Sequence, residues 1–187
     1  IYTVPSMFRA ASLVGEAVRQ VYRTHGKAMQ EHGLSFDVSI LLGGQLKGRT
    51  VRLFQIYAAG NFIEATRDTP FLQIGEHKYG KPILDRIIRP QTPLEDAARC
   101  ALVSLDSTMR SNLSVGPPID LAIVPTDQLG IAHQLRFDLD TPFYAALKDS
   151  WGRNLEAIFR NLPRFEWEQQ ISPQQDLLVE PVAQGGG

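Results

Sequence analysis

The spacing of apolar residues changes in blocks along this chain, and the order of the blocks limits the folds open to it. From Ser6 to about Glu31, Met7, Ala11, Val14, Val18, Val21 and Tyr22 recur every three or four residues. That period predicts a helix with one buried stripe, capped by Ser6 and stopped by Gly33. Phe36, Val38, Ile40 and Leu42 then alternate with Asp37, Ser39 and Leu41, the pattern of a strand, which ends at Gly43-Gly44. Val51–Tyr57 and Phe62–Thr66 are strands joined by Ala58-Ala-Gly-Asn61, a hairpin turn with Gly60 at positive φ. Phe71–Ile74 is a short fourth strand. Tyr79–Ile88 is a helix with Pro82 in its first turn, where proline is tolerated. Thr92-Pro-Leu-Glu95 reads as a capping box opening a helix to 109, whose stripe is Leu94, Ala98, Ala101, Leu102, Leu105 and Met109. Ile119–Val124 and Ile131–Phe137 form a strand pair after Gly116-Pro-Pro118. Thr141-Pro142 opens a last helix carrying Phe143, Leu147, Trp151, Leu155, Ile158 and Phe159. Strands and helices in separate runs predict α+β layers rather than alternating βαβ units.

A chain of 187 residues with 43% apolar and 21% charged content fits a single globular domain. Nineteen basic residues nearly balance twenty acidic ones, so the charge does not point to nucleic acid or anionic lipid. No apolar run approaches the ~18 residues of a membrane helix. The opening Ile1-Tyr-Thr-Val-Pro5 has neither the charged region nor the apolar core of a signal peptide. The single cysteine, Cys100, rules out an intrachain disulfide, suits a reducing cytoplasm and reads as a small apolar filler on a helix. After Pro163 the chain turns Gln- and Pro-rich and ends in Gly185–Gly187, either a loosely ordered extension or an appended remnant.

The residues alone offer little chemistry. His25 and His32 share a helix face seven residues apart but have no third ligand at zinc-like spacing, so no metal site is expected. Leu113-Ser-Val-Gly116 lacks the leading glycine of a nucleophile elbow. Gly43-Gly44 is a strand-end turn with no helix behind it to hold a phosphate. Asn112, Ser114 and Gly116 can simply end a helix through side-chain-to-backbone hydrogen bonds.

Three segments, in order, resemble a bacterial proteasome-like β-type subunit, most closely of the Anbu type. They are Ile40-Leu-Leu-Gly-Gly-Gln45 with Arg52-Leu-Phe-Gln-Ile-Tyr57 and Gly60; Gln73-Ile-Gly-Glu-His-Lys-Tyr-Gly-Lys-Pro-Ile-Leu-Asp85; and Asp106-Ser-Thr-Met-Arg-Ser-Asn-Leu-Ser-Val-Gly-Pro-Pro-Ile-Asp-Leu121. The resemblance implies an N-terminal nucleophile hydrolase fold, a four-layer αββα sandwich. Residues 1–162 would be its C-terminal two-thirds and 163–187 a C-terminal extension. The apolar stripes of the helices at 6–31 and 92–109 also need a partner, and the simplest arrangement packs the two side by side, antiparallel, on one sheet face.

In such a family the mature chain begins with a threonine, whose hydroxyl attacks a carbonyl while its own α-amine takes the proton. One residue is both nucleophile and base, because the amine's ordinary pKa of ~7.7–8 lies near working pH. Those N-terminal strands would precede Ile1, so the resemblance leaves this chain only the supporting residues. Ser114 falls on the family's serine in Arg110-Ser-Asn-Leu-Ser-Val-Gly116. Ser111 stands where the family has an aspartate, and Glu76 falls on a second supporting serine. The implied function is a self-assembling threonine-type peptidase or amidohydrolase acting on peptide or amide bonds, without metal or organic cofactor. The loss of the aspartate at Ser111 leaves a second reading open, an assembly protein with little or no catalysis. Either way, residues 1–187 are expected not to form a self-sufficient domain. An open sheet edge or an apolar groove should adjoin Ser114.

Overall fold

The structure is a computed structural model and describes residues 3–168. Its elements are α1 (Met7–Glu31), β1 (Ser39–Gly44), β2 (Arg52–Tyr57), β3 (Phe62–Glu64), α2 (Lys81–Ile87), α3 (Leu94–Ser111), β4 (Ile119–Ile123), β5 (His133–Phe137) and α4 (Pro142–Arg160). They fall into two compact units that divide between Ser150 and Trp151. The class is α+β, with small antiparallel sheets.

In the first unit β1, β2 and β3 form one antiparallel sheet, with Ile40 opposite Ile56 and Phe54 opposite Glu64. Alternation along β2 puts Phe54 and Ile56 on the face beneath α1, where they are fully buried with Ala11. Met7, Val14, Ile40, Leu42 and Phe62 close this core. Ser6 caps α1 by accepting from the Arg9 amide at 3.1 Å, and Gly33 ends it at φ +70°. Val21 and Tyr22, expected in the stripe, are about half exposed because the sheet covers only part of the helix. Gly60 adopts φ +73°, as the hairpin turn requires.

A second core forms around β4 and β5, which pair with Ile119 opposite Phe137. Leu102 of α3 and Tyr144 of α4 pack on those two residues. Cys100 is buried on α3, as a filler should be. The two long helices therefore do not lie side by side on one sheet face. α1 packs on β2 and β3, whereas α3 packs on β4 and α2. Of the stripe expected on α3 only Leu102 is buried and Leu94 is exposed, because the helix also turns Cys100, Val103, Ser104 and Thr108 inward.

Three further expectations are corrected. Strand β1 begins at Ser39 rather than Phe36, whose ring instead packs on Tyr22 at 5.3 Å. Phe71–Ile74 is not a strand; Phe71 lies under the Lys81 ammonium at 5.5 Å and Gln73 bonds into the next turn. Thr92 does not cap α3. Its hydroxyl accepts from the Arg89 amide at 2.8 Å, and the helix starts with Pro93 as a cap that makes no side-chain bond.

The Tyr144 hydroxyl is buried without a hydrogen-bond partner among the described residues. Burial, helped by the nearby Asp106 charge, pushes its pKa up to about 12. Removing an unsatisfied buried hydroxyl saves its desolvation penalty. Tyr144→Phe is therefore expected to leave stability unchanged or raise it by up to about 1 kcal/mol in urea unfolding.

In the second unit α4 continues to Arg160 with Leu155, Ile158 and Phe159 exposed. Beyond it Phe165 and Trp167 stack at 4.3 Å. Most of the expected C-terminal extension lies outside the described residues.

Candidate functional site

The loop into α2 and the end of α3 meet because the two helices pack closely. Gly80 is buried against α3, where a Cβ would fall 2.2 Å from Ser104 Oγ and 2.9 Å from Thr108 Oγ1. That approach brings residue 76 up to residue 112. Gly75 turns the loop at φ +76°, and the Glu76 carboxylate then folds back on its own backbone, accepting from the Lys78 amide at 2.9 Å. Its other oxygen accepts from Asn112 Nδ2 at 3.1 Å. These bonds, the Lys78 amide first and Asn112 second, hold the Glu76 pKa below the ordinary glutamate value.

Asn112 is the residue after the last turn of α3. Its Oδ1 accepts from the Ser114 amide at 2.9 Å and from the Ser114 hydroxyl at 2.7 Å. Glu76 and Ser114, proposed from the sequence as neighbours of one site, thus belong to one hydrogen-bonded network. Ser111 does not join it. It is exposed on the last turn of α3, with no side-chain hydrogen bond among the described residues.

The Ser114 proton is directed at an amide oxygen, which takes no proton at ordinary pH, so this serine is not an activated nucleophile. Among the described residues no three His, Cys, Asp or Glu side chains come together as a metal site.

Asn112 was missed as a site residue. The signal for half of its role was present: Asn-x-Ser after a helix invites a side-chain-to-backbone turn. Its bond to Glu76, 36 residues away, has no local signature.

A groove of about 330 Å³ runs beside Ser114, lined by Met109, Arg110, Leu113, Val115, Pro117 and Leu139 among others. Leu113 stands fully exposed at its edge. The sequence led to an apolar groove beside Ser114; this one also carries Asp106, Arg110 and Lys148 in its lining. Among the described residues β4 and β5 pair only with each other. On the other side of the Glu76 loop a larger cavity of about 620 Å³ opens between the sheet and α2. Gln73 lines it, and its Oε1 is buried without a partner among the described residues.

Neither a protein-family model nor a curated protein sequence matches the chain. Solved structures do. Anbu (ancestral beta-subunit) from Yersinia bercovieri is 49% identical over 88% of this chain and 68% of its own, with a TM-score of 0.80. The chain belongs to the Anbu family. A Gly-1 mutant of Anbu from Hyphomicrobium sp. strain MC1 is 48% identical over 88% of this chain and 66% of its own, with a TM-score of 0.80. Anbu from Pseudomonas aeruginosa, solved as a helical assembly of the Anbu complex, is 46% identical over 87% and 67%, with a TM-score of 0.81. The chain spans about two-thirds of the length of these Anbu structures. It is thus an Anbu-type, proteasome-like subunit, and no helix among its described residues is long and apolar enough to cross a membrane.

Proposed function

We propose that this chain is part of a self-assembling cytoplasmic subunit whose complete form hydrolyses peptide or amide bonds with an N-terminal threonine. In this reading Glu76 and Ser114 support that threonine's amine, and Ser111 is a bystander. The observation that carries it is the Glu76–Asn112–Ser114 network, in which a carboxylate and an exposed hydroxyl are tied together next to an open groove. A base that must be held and tuned needs such fixed acceptors, and the carboxylate supplies the charge that the family's aspartate would otherwise give. The four-layer sandwich belongs to the same reading, with the N-terminal strands covering the groove and pairing with the open strand edges. Assembly of the Pseudomonas relative into a helical complex supports self-association here.

The second reading, a scaffold with little catalysis, draws on Ser111. It offers no carboxylate, and its side chain makes no hydrogen bond to the network.

The deciding experiment sequences the N-terminus of the mature full-length protein and treats it with a peptidyl β-lactone. The threonine hydroxyl adds to the lactone carbonyl, the ring C–O bond breaks, and the proton moves through the amine to the released alkoxide. The chain then gains the whole mass of the lactone on that threonine. A mature N-terminus other than threonine, with no gain in mass, would sink this reading in favour of the scaffold. Within the reading, Ser114→Ala is expected to slow adduct formation about 10- to 100-fold, the worth of one hydrogen bond to a charged group.

A further inference from the structure

We infer that Asn112 is a positioning residue that sets the polarity of this site, so that it receives a hydrogen-bond donor, a protonated amine, and no acceptor. The inference rests on the function just proposed and adds to it the residue that fixes which way the hydrogen bonds of the site point.

The orientation of the Asn112 amide is forced from both ends. Ionised Glu76 can only accept, so the atom facing it at 3.1 Å must be the NH₂ group. The Ser114 backbone amide can only donate, so the atom facing it at 2.9 Å must be the carbonyl oxygen. That oxygen also sits 2.7 Å from Ser114 Oγ, and two oxygens at this distance need a proton between them, which only the hydroxyl carries. The Ser114 proton is therefore committed inward. What Ser114 presents to solvent is lone pairs, backed through the amide by the Glu76 charge. At the Ser114 hydroxyl itself an incoming carbonyl or carboxylate finds no donor, whereas an ammonium finds an acceptor backed by a negative charge.

The charges around Glu76 are His77 and Lys78 of its own loop. On α3 the neighbouring charge is Arg110, which is tied to Asp106 at 3.0 Å, and across the groove α4 brings the Lys148 ammonium. Asn112 joins an acceptor, Glu76, to the two donors of Ser114 through a neutral amide that brings no charge of its own.

Asn112→Asp tests this, because it replaces the donor facing Glu76 with a second carboxylate. The Glu76→Gln/Asn112→Asp double variant restores the pattern with the roles exchanged, since the amide introduced at position 76 then donates to the carboxylate introduced at position 112. In the full-length protein, the pH dependence of the β-lactone reaction is followed by intact mass. The single variant is expected to move its midpoint up by about one pH unit, a tenfold loss of rate at pH 7, because the added charge favours the ammonium. The double variant should recover at least half of that loss on a logarithmic scale. A single variant that behaves like the wild type, or a double variant no better than the single, overturns the inference.

Thermal unfolding of the same proteins separates this from failure of the functional reading. If the wild type does not react at any pH, that reading falls. The polarity lock then stands only if Asn112→Asp lowers Tm more at pH 8 than at pH 4.5 and Glu76→Gln relieves the loss. Additive losses, independent of pH, remove the lock as well.

Discussion

Replacing Gly15 with alanine is expected to destabilise the protein by about 2–3 kcal/mol, although alanine is the better helix former. Gly15 is buried in the middle of α1, against the β2–β3 turn. A Cβ there would lie 2.2 Å from the Gly60 carbonyl oxygen and 3.1 Å from its carbon. Both obstructing atoms are backbone, so no rotamer change relieves the clash. The turn cannot retreat easily either, because Arg19 donates to the same Gly60 oxygen at 2.8 Å. Helix and sheet must separate, and the contact between Ala11 and the Phe54–Ile56 face loosens with them. The gain of ~1 kcal/mol in helix propensity offsets only part of this. Gly152 on α4 is the control, since among the described residues nothing lies within 4 Å of its Cβ position. Gly152→Ala should stabilise by about 0.5–1 kcal/mol. Urea midpoints of both variants against the wild type check the pair; equal stabilisation would mean that α1 does not seat on the turn as described.

Gly80→Ala has the second large effect, and it reaches the site. Gly80 has an ordinary φ of −89°, so the cost is steric and not conformational. The added methyl would meet Ser104 Oγ at 2.2 Å, which can rotate away. It would also meet the Ser104 carbonyl oxygen and Thr108 Oγ1, both at 2.9 Å. Those two are bonded to each other at 2.9 Å and hold their places. The start of α2 must then move off α3, at about 1–3 kcal/mol. The 3.1 Å bond between Glu76 and Asn112 has little slack to follow it. Gly80→Ala should therefore lose thermal stability and also slow the β-lactone reaction, with no change to any residue of the network. Adding Ser104→Ala should return less than half of the stability, because the carbonyl and Thr108 remain. A variant as stable and as reactive as the wild type would show that the α2–α3 contact does not set the position of Glu76.

Features fixed by neighbours in sequence could be read directly. The start and end of α1 follow from a serine that accepts from the amide three residues on and a glycine free to take positive φ. The β2–β3 and β4–β5 pairs follow from alternation and from where the chain can turn. Buried Cys100 and the early position of Pro82 belong to the same class. Ser114 and Glu76 entered as candidates through family resemblance, not through local chemistry. They are linked only by way of Asn112, whose neighbours in sequence announce a helix end and nothing more.

What the sequence determined by itself was local: which segments have a helical or a strand period, and where a cap, a glycine or a proline must interrupt them. Only the tertiary structure decided which of several equivalent partners each segment took. Phe36 could have extended β1 but packs on Tyr22. Thr92 could have capped α3 but accepts from Arg89. The stripes of α1 and α3 could have shared one sheet face but went to two. Apolar burial and hydrogen bonding are satisfied about equally well by any partner of the right kind. The choice is therefore made by packing across the whole chain, where one backbone contact such as Gly80 on Ser104 places residues 36 positions apart within bonding distance.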